Sequence, residues 1–184
     1  MKNLNTEKIK ELQKKLGVTA DGDWGPISQA AFEKALKPIS APAANGRQSP
    51  ILIALEDYGT KEIDGSMNNA KIMQYYRDVG QTWITSEDVA WCAAFVGSCL
   101  ERALIASSRL LNARSYLKWG IATTKPKVGD IAVFSRGSNP AEGHVAFFIR
   151  EEGSNVFILG GNQANAVNIT TMPKSTVLGY RTYR

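Results

Sequence analysis

Apolar residues recur at helical spacing near the start of the chain. Ile9, Leu12 and Leu16 share one stripe, with lysines and glutamates elsewhere. Thr6 supplies the start of this helix and Gly17 its stop. A dense turn, Asp21-Gly22-Asp23-Trp24-Gly25-Pro26, leads into a second helix. Pro26 sits near its start, and Ala31, Phe32, Ala35 and Leu36 form its apolar face. The pattern then breaks across residues 37–50, KPISAPAANGRQSP. This stretch holds Pro38, Pro42 and Pro50 and has no apolar period. It predicts a small domain over residues 1–37, a linker over 38–50 and a larger domain over 51–184.

In the larger part, Ile51–Tyr58 and Ala70–Arg77 read as helices, with a turn over Glu62–Gly65. Residues 91–106 read as a strongly apolar helix, and a short one is expected at Ser115–Trp119. After Lys127 the period changes. Ile131–Phe134, Val145–Ile149, Val156–Leu159, Ala166–Ile169 and Gly179–Tyr183 read as short strands broken by Gly, Asn and Pro. Helices followed by antiparallel strands predict an α+β domain.

Composition changes this picture little. Hydrophobic residues make up 43% of the chain and charged residues 21%, as in ordinary globular proteins. The net charge of +5 suits an anionic partner, whether nucleic acid, membrane surface or cell wall. No basic-aromatic stripe supports nucleic-acid binding. No apolar run approaches the roughly 18 residues that span a bilayer. The polar start, Met1-Lys2-Asn3-Leu4-Asn5, has no signal core, so synthesis and retention in a cytoplasm are expected. The two cysteines, Cys92 and Cys99, are separated by roughly 10 Å of rise if they share one helix. A disulfide needs Cα atoms within about 7 Å, so both thiols are expected free.

Trp24 sits in a glycine-rich turn, either as a binding-groove aromatic or as the core plug of a tiny helical domain. The stretch LQKKLGV followed by ADGDWGPISQAAF closely resembles the peptidoglycan-binding domain of cell-wall hydrolases. The resemblance implies a three-helix bundle that holds an enzyme to its insoluble substrate. It makes Trp24 a substrate-binding candidate and raises the effective concentration of the attached domain at the wall. The sequence departs from the family at Ser28-Gln29, where a threonine usually opens the last helix. Serine caps about as well.

The candidate chemistry centres on Cys92 and on His144, the single histidine. Cys92 lies at the start of the apolar helix, after Ser86, Glu87 and Asp88, which could form its entry turn. Unpaired N–H groups at a helix start stabilise a thiolate. A buried structural cysteine is the alternative, and Cys99 fits that description better. His144 opens the strand His144-Val145-Ala146-Phe147-Phe148-Ile149, sharing a face with Ala146 and Phe148. Its alternative is a solvent-exposed or satisfied residue. A third group should orient the imidazole. Asn162, in Leu159-Gly160-Gly161-Asn162-Gln163, could accept from the ring or could be a plain turn residue, and Gln163 stands next in line.

WCAAFV, VGDIAVF, GHVAFF, ILGGNQANAV and GTKEIDGSMNNAKIMQYY together resemble the papain-like cysteine peptidases of bacterial walls. These are the CHAP and NlpC-type amidohydrolases, and the CHAP group of phage and prophage lysins is nearest. The resemblance implies a papain-like catalytic domain with helices packed on an antiparallel sheet. It implies Cys92 as nucleophile, His144 as base and Asn162 as orienting residue, with Trp91 and Gln163 at the substrate. Many CHAP enzymes carry a glutamate where this chain has Gly160. Asp130, in the VGDIAVF turn, reads as structural.

The implied function is that of an endolysin, a bacteriolytic peptidoglycan hydrolase without cofactor or metal. It would be monomeric, free of nucleic acid and not inserted in a membrane. It would wait in the host cytoplasm and act on the periplasmic wall at lysis. An endopeptidase is the first expectation and an N-acetylmuramoyl-L-alanine amidase the alternative; a non-enzymatic wall-binding phage structural protein is the third. A zinc enzyme would need two or three histidines. A glycosidase would need a carboxylate pair, and nothing marks one among Glu56, Glu62, Glu87 and Asp88.

Overall fold

The computed structural model describes residues 6–7, 9–10, 13–14, 17–23, 25–28, 30–31, 48–65, 67–139 and 141–183. Its contacts divide the chain into two units, Met1–Gln48 and Ser49–Arg184. In the first, residues 6–7, 9–10, 13–14, 26–28 and 30–31 are helical. The organiser of this unit is Gln13, a polar residue that is fully buried. Its Nε2 lies 2.7 Å from Asp21 Oδ1, 2.7 Å from the Asp23 carbonyl and 2.9 Å from Ser28 Oγ. Its Oε1 accepts from Gly22 N–H at 2.8 Å. Both ends of one side chain thus fix the turn that Gly22, at φ +82°, makes possible.

The second unit opens with three helices. Helix α1 is Pro50–Glu56, α2 is Ala70–Asp78 and α3 is Cys92–Arg102. Pro50, the expected end of the linker, is the first residue of α1, a position where its missing N–H costs nothing. The α2 start is capped by Asn69, whose side chain accepts from Lys71 N–H. Residues 92–100 of α3 are buried on every side, as befits a central helix. Asp57, just past α1, is buried and ties the three together. Lys71 Nζ reaches it at 2.7 Å and Arg102 Nη1 at 2.6 Å. Ser98 Oγ on α3 donates to Asp78 at the end of α2, at 2.6 Å.

A 3₁₀ segment, Ala113–Lys118, stands where a short helix is expected. Six strands follow: β1 Ile121–Thr123, β2 Ile131–Ser135, β3 Gly143–Glu152, β4 Asn155–Gly160, β5 Asn168–Pro173 and β6 Val177–Thr182. They form one antiparallel sheet in the order β1-β6-β2-β3-β4-β5. The strand expected at Ala166–Ile169 begins later, at Asn168, because the preceding residues form a turn. Strand β1 has no sequence signal; it is three residues long and two of them are exposed.

Side-chain alternation along β3 gives the sheet two apolar faces. On one, Ala146 and Phe148 cluster with Ala132, Phe134, Val156 and Ile158. On the other, the Phe147 ring meets Phe95 of α3, with centroids 6.4 Å apart. Among the described residues no helix is long and apolar enough to cross a membrane.

Candidate active site

Cys92 is the first residue of α3 and is 5% exposed. Trp91 holds the capping position but makes no side-chain cap. The first N–H groups of α3 are therefore left to the site itself. Ser86 and Asp88 bond to one another and shape the approach. Glu87 is buried and accepts from the N–H groups of Ile63 and Asn69, so it pins a loop rather than serving chemistry. The Cys92 thiol also lies against the backbone N–H of Val145, the residue after His144. This places nucleophile and histidine strand side by side. Cys99, one helical stretch deeper, is fully buried, and both thiols are free.

His144 is 2% exposed and pairs in register with Phe134 on β2. Its Nε2 lies 3.0 Å from Gln163 Oε1. The Gln163 amide has a determined orientation. Its Nε2 must donate to the Asn168 carbonyl at 2.6 Å and to Asn168 Oδ1 at 2.9 Å, while Asn168 Nδ2 donates back to the Gln163 carbonyl at 2.7 Å. The oxygen of Gln163 is thus the atom that faces the ring, and His144 Nε2 must carry the proton. The other ring nitrogen, Nδ1, is buried and without a hydrogen-bond partner. It is an acceptor held ready for a proton.

The residue bonding the imidazole is therefore Gln163 and not Asn162. Asn162 is left-handed, at φ +54°, and half-buried within a turn. Ala164 and Asn165 share that conformation, at φ +52° and +60°. Such a run is sterically unfavourable and needs its surroundings to hold it. Here Gln163 N–H bonds the Ala166 carbonyl, and Glu62 N–H bonds the Asn165 carbonyl. Two further assignments change. Trp91 is fully buried, packed on Tyr75 and Phe95, and its indole N–H goes to Glu62 at 2.7 Å. It is a core residue rather than a substrate contact. Gln163, 7% exposed, has both ends of its amide engaged and is likewise no substrate contact. Trp24 lies outside the described residues.

Glycines bring these parts together. A Cβ on Gly160 would stand 2.8 Å from both Ala146 Cβ and Gln163 Oε1. A side chain at position 160 would displace the group that holds His144. A Cβ on Gly161 would stand 2.5 Å from the Trp91 ring, so the end of β4 can approach the start of α3 only as glycine.

Burial governs the electrostatics. It pushes the Cys92 thiol up, partly offset by the N–H of Val145, the charge of Arg136 and the amides at the helix start. Burial also pulls the His144 imidazole down to about 4; the Gln163 hydrogen bond works against it and the Arg136 charge adds to it. At neutral pH the pair rests as thiol and neutral imidazole. An unfolded chain protonates this histidine near 6.5. As pH falls below that value the unfolded state takes up a proton that the folded state refuses, so stability falls with pH. Between about pH 7.5 and 5 the loss is expected to be about 2 kcal/mol. Urea unfolding over this range, above the carboxylate window, should show that slope in the wild type and lose it in His144→Gln.

Several positioning residues have no strong sequence signal. The 3₁₀ segment touches both halves of the site. Tyr116 O–H donates to the Ala93 carbonyl beside Cys92, at 3.3 Å. Arg114 Nε donates to the Glu142 carbonyl at 2.7 Å, and Asn112 Nδ2 to the Ala141 carbonyl at 3.3 Å. These bonds hold the turn that enters β3. Asp130 bonds Lys127 N–H within its own turn, a structural role as expected. Among the described residues, no group of three or more His, Cys, Asp or Glu could hold a metal ion.

Residues 84–162 match the CHAP domain family. The matched segment holds Cys92 and His144 and stops just short of Gln163. No curated protein matches the chain. Among solved structures, one described as similar to a lipoprotein of the NLP/P60 family, from Staphylococcus aureus subsp. aureus Mu50, aligns at 14% identity. The alignment covers 97% of this chain and 75% of that one, with a TM-score of 0.36. The fold class is the expected one, a papain-like α+β domain with helices packed on an antiparallel sheet. Over the segment that carries its buried thiol and its histidine, this chain is similar to a CHAP domain.

Proposed function

We propose that the protein is a peptidoglycan hydrolase that cuts an amide bond of the wall stem peptide with the thiol of Cys92. The observation that carries this reading is the single hydrogen bond from His144 Nε2–H to Gln163, which leaves Nδ1 as a buried, unpartnered base. His144 Nδ1 takes the Cys92 proton as sulfur attacks the amide carbonyl. The carbonyl oxygen, now negative, is held by N–H groups at the uncapped start of α3. As the tetrahedral species collapses, the C–N bond breaks and His144 returns its proton to the leaving amine. Water then adds to the thioester with His144 again as base, releasing a carboxylic acid and the free thiol. Gln163 keeps the imidazole in one tautomer throughout.

In this reading the first unit binds the wall and the chain is a phage or prophage endolysin, monomeric and held in the host cytoplasm until lysis. The resemblance of LQKKLGV and ADGDWGPISQAAF to wall-binding domains supports this. Endopeptidase action is the favoured form, with N-acetylmuramoyl-L-alanine amidase action by the same chemistry as the alternative. The test is digestion of purified walls followed by mass spectrometry of the fragments. New amino termini within stem peptides are expected, and prior treatment with iodoacetamide should prevent them. Fragments cut at the muramoyl-alanine bond would replace the endopeptidase by the amidase. Cleavage that survives alkylation would sink the thiol mechanism.

A further inference from the structure

The mouth of the site carries one charge that the catalytic steps do not use. Strand β2 ends at Ser135, which faces Gly143 in the register, one position beyond the Phe134–His144 pair. Arg136 is the next residue and opens the turn that leads into β3. Side chains alternate along a strand, so residue 136 leaves β2 on the side of Phe134. The ring centroid of Phe134 stands 6.4 Å from that of the imidazole. Arg136 is exposed, and among the described residues it forms no hydrogen bond and no ion pair. Its charge nevertheless acts on both Cys92 and His144. No other charged side chain among the described residues bears on His144.

The groups around the pair explain why this one charge counts. In the segment before α3, Glu87 accepts from the N–H groups of Ile63 and Asn69, and Asp88 accepts from Ser86 Oγ. Glu62 accepts from the Trp91 indole. On the 3₁₀ segment, Arg114 donates to the carbonyls of Glu142 and Asn139. In the turn itself, Glu142 accepts from Asn139 Nδ2 at 3.1 Å. Helix α3 adds only Cys99, deep in the core, and the residues after β4 bring the neutral amide of Gln163. Each of these acids is bonded to another group, and the imidazole has a neutral partner. A carboxylate on the imidazole would favour a protonated ring, and a guanidinium does the reverse. Because Arg136 acts on thiol and ring together, it disfavours a proton on either and governs the pair as a whole.

We propose that Arg136 is a positioning residue of the reaction: its guanidinium, at the mouth of the β2–β3 turn, sets the charge of the Cys92–His144 pair, holding the ring neutral and the sulfur ready as an anion where Gln163 supplies no charge. The role rests on the thiol mechanism above, and it does not depend on the wall as substrate. Arg136 acts through the pair, so what matters at this position is the positive charge and not the shape of the side chain.

Two titrations of the full chain test this, and neither needs a substrate. The first follows the rate of Cys92 alkylation by iodoacetamide against pH, with Cys92→Ala as the blank. The second follows the ring-proton NMR signals of His144, which are unambiguous because it is the single histidine. In Arg136→Gln both midpoints are expected to rise by about half a unit, so that alkylation below the thiol midpoint slows about threefold. Arg136→Lys should keep both near their wild-type positions. Raising the salt concentration should move both wild-type midpoints upward, because an exposed charge is screened. The thermal midpoint of each variant should match the wild type, since Arg136 is exposed. Unmoved midpoints in Arg136→Gln, equal shifts in Arg136→Gln and Arg136→Lys, or two midpoints that move in opposite directions would overturn the proposal. Wall cleavage by the wild type, measured separately, keeps the two readings apart. If walls are not cut but both midpoints follow the charge at residue 136, the substrate reading falls and the role of Arg136 stands. If walls are cut and Arg136→Gln leaves both midpoints in place, the role of Arg136 falls alone.

Discussion

Cys92→Ala is expected to leave a folded protein that clears a peptidoglycan suspension at least about 10⁴-fold more slowly than the wild type, the scale on which covalent nucleophiles act. The side chain removed is small and sits at the end of α3, so the packing lost is that of one sulfur atom. The chemistry lost is the whole covalent route, because the other thiol, Cys99, is enclosed in the core. Clearing rates with matched circular dichroism spectra measure this directly. A variant that clears walls at the wild-type rate would rule out the thiol mechanism.

Gln163→Leu has the second largest expected effect, a fall in turnover of about 10²- to 10³-fold from loss of the tautomer lock. Leucine leaves His144 Nε2–H buried without an acceptor and leaves Asn168 without its donor. The ring is then free to move its proton to Nδ1, the position that must accept from Cys92. Gln163→Glu tests the same contact through charge. A carboxylate at Nε2 should raise the imidazole pKa by roughly 1–3 units. The acid limb of kcat/KM, which follows protonation of His144, should move to higher pH by that amount. The same change should speed alkylation of Cys92 at neutral pH, because a more basic imidazole draws the thiol proton more readily. A packing defect alone would not move the acid limb. An unshifted limb in Gln163→Glu would mean that some other group orients the ring.

Much of the site is legible in the chain because its chemistry is scarce. With one histidine, an imidazole mechanism can run only through His144. The helix start likewise separates Cys92 from Cys99, which lies deeper in the same helix. Strand β3 is equally readable, since its alternating apolar residues serve two packed faces. The third group is one residue away from the expected one for a physical reason. Which of Asn162 and Gln163 faces the ring depends on the sign of φ at three non-glycine residues. The turn that carries them is bonded to residues 59–62, far back in the chain, through Asn165 and Val167. Local sequence does not contain that information. Trp91 is similar. An aromatic beside a nucleophile suits a groove or a core equally, and the deciding partner, Glu62, lies on another segment.

The position of β6 bears on how the sheet comes into being. This strand, residues 177–182, pairs with β1 on one side and β2 on the other, although both precede it by some distance in the chain. During synthesis β2 and β3 can form a hairpin as soon as they leave the ribosome, but the outer edge of β2 stays open until β6 emerges. An open edge of this kind is a template for pairing with other chains. Long-range closure of this sort is also slow compared with hairpin formation. Phe134, which lies against His144, is on that unfinished strand. The nascent protein therefore carries its thiol early but completes the framework around its histidine last, so assembly of the finished sheet is the step that arms it.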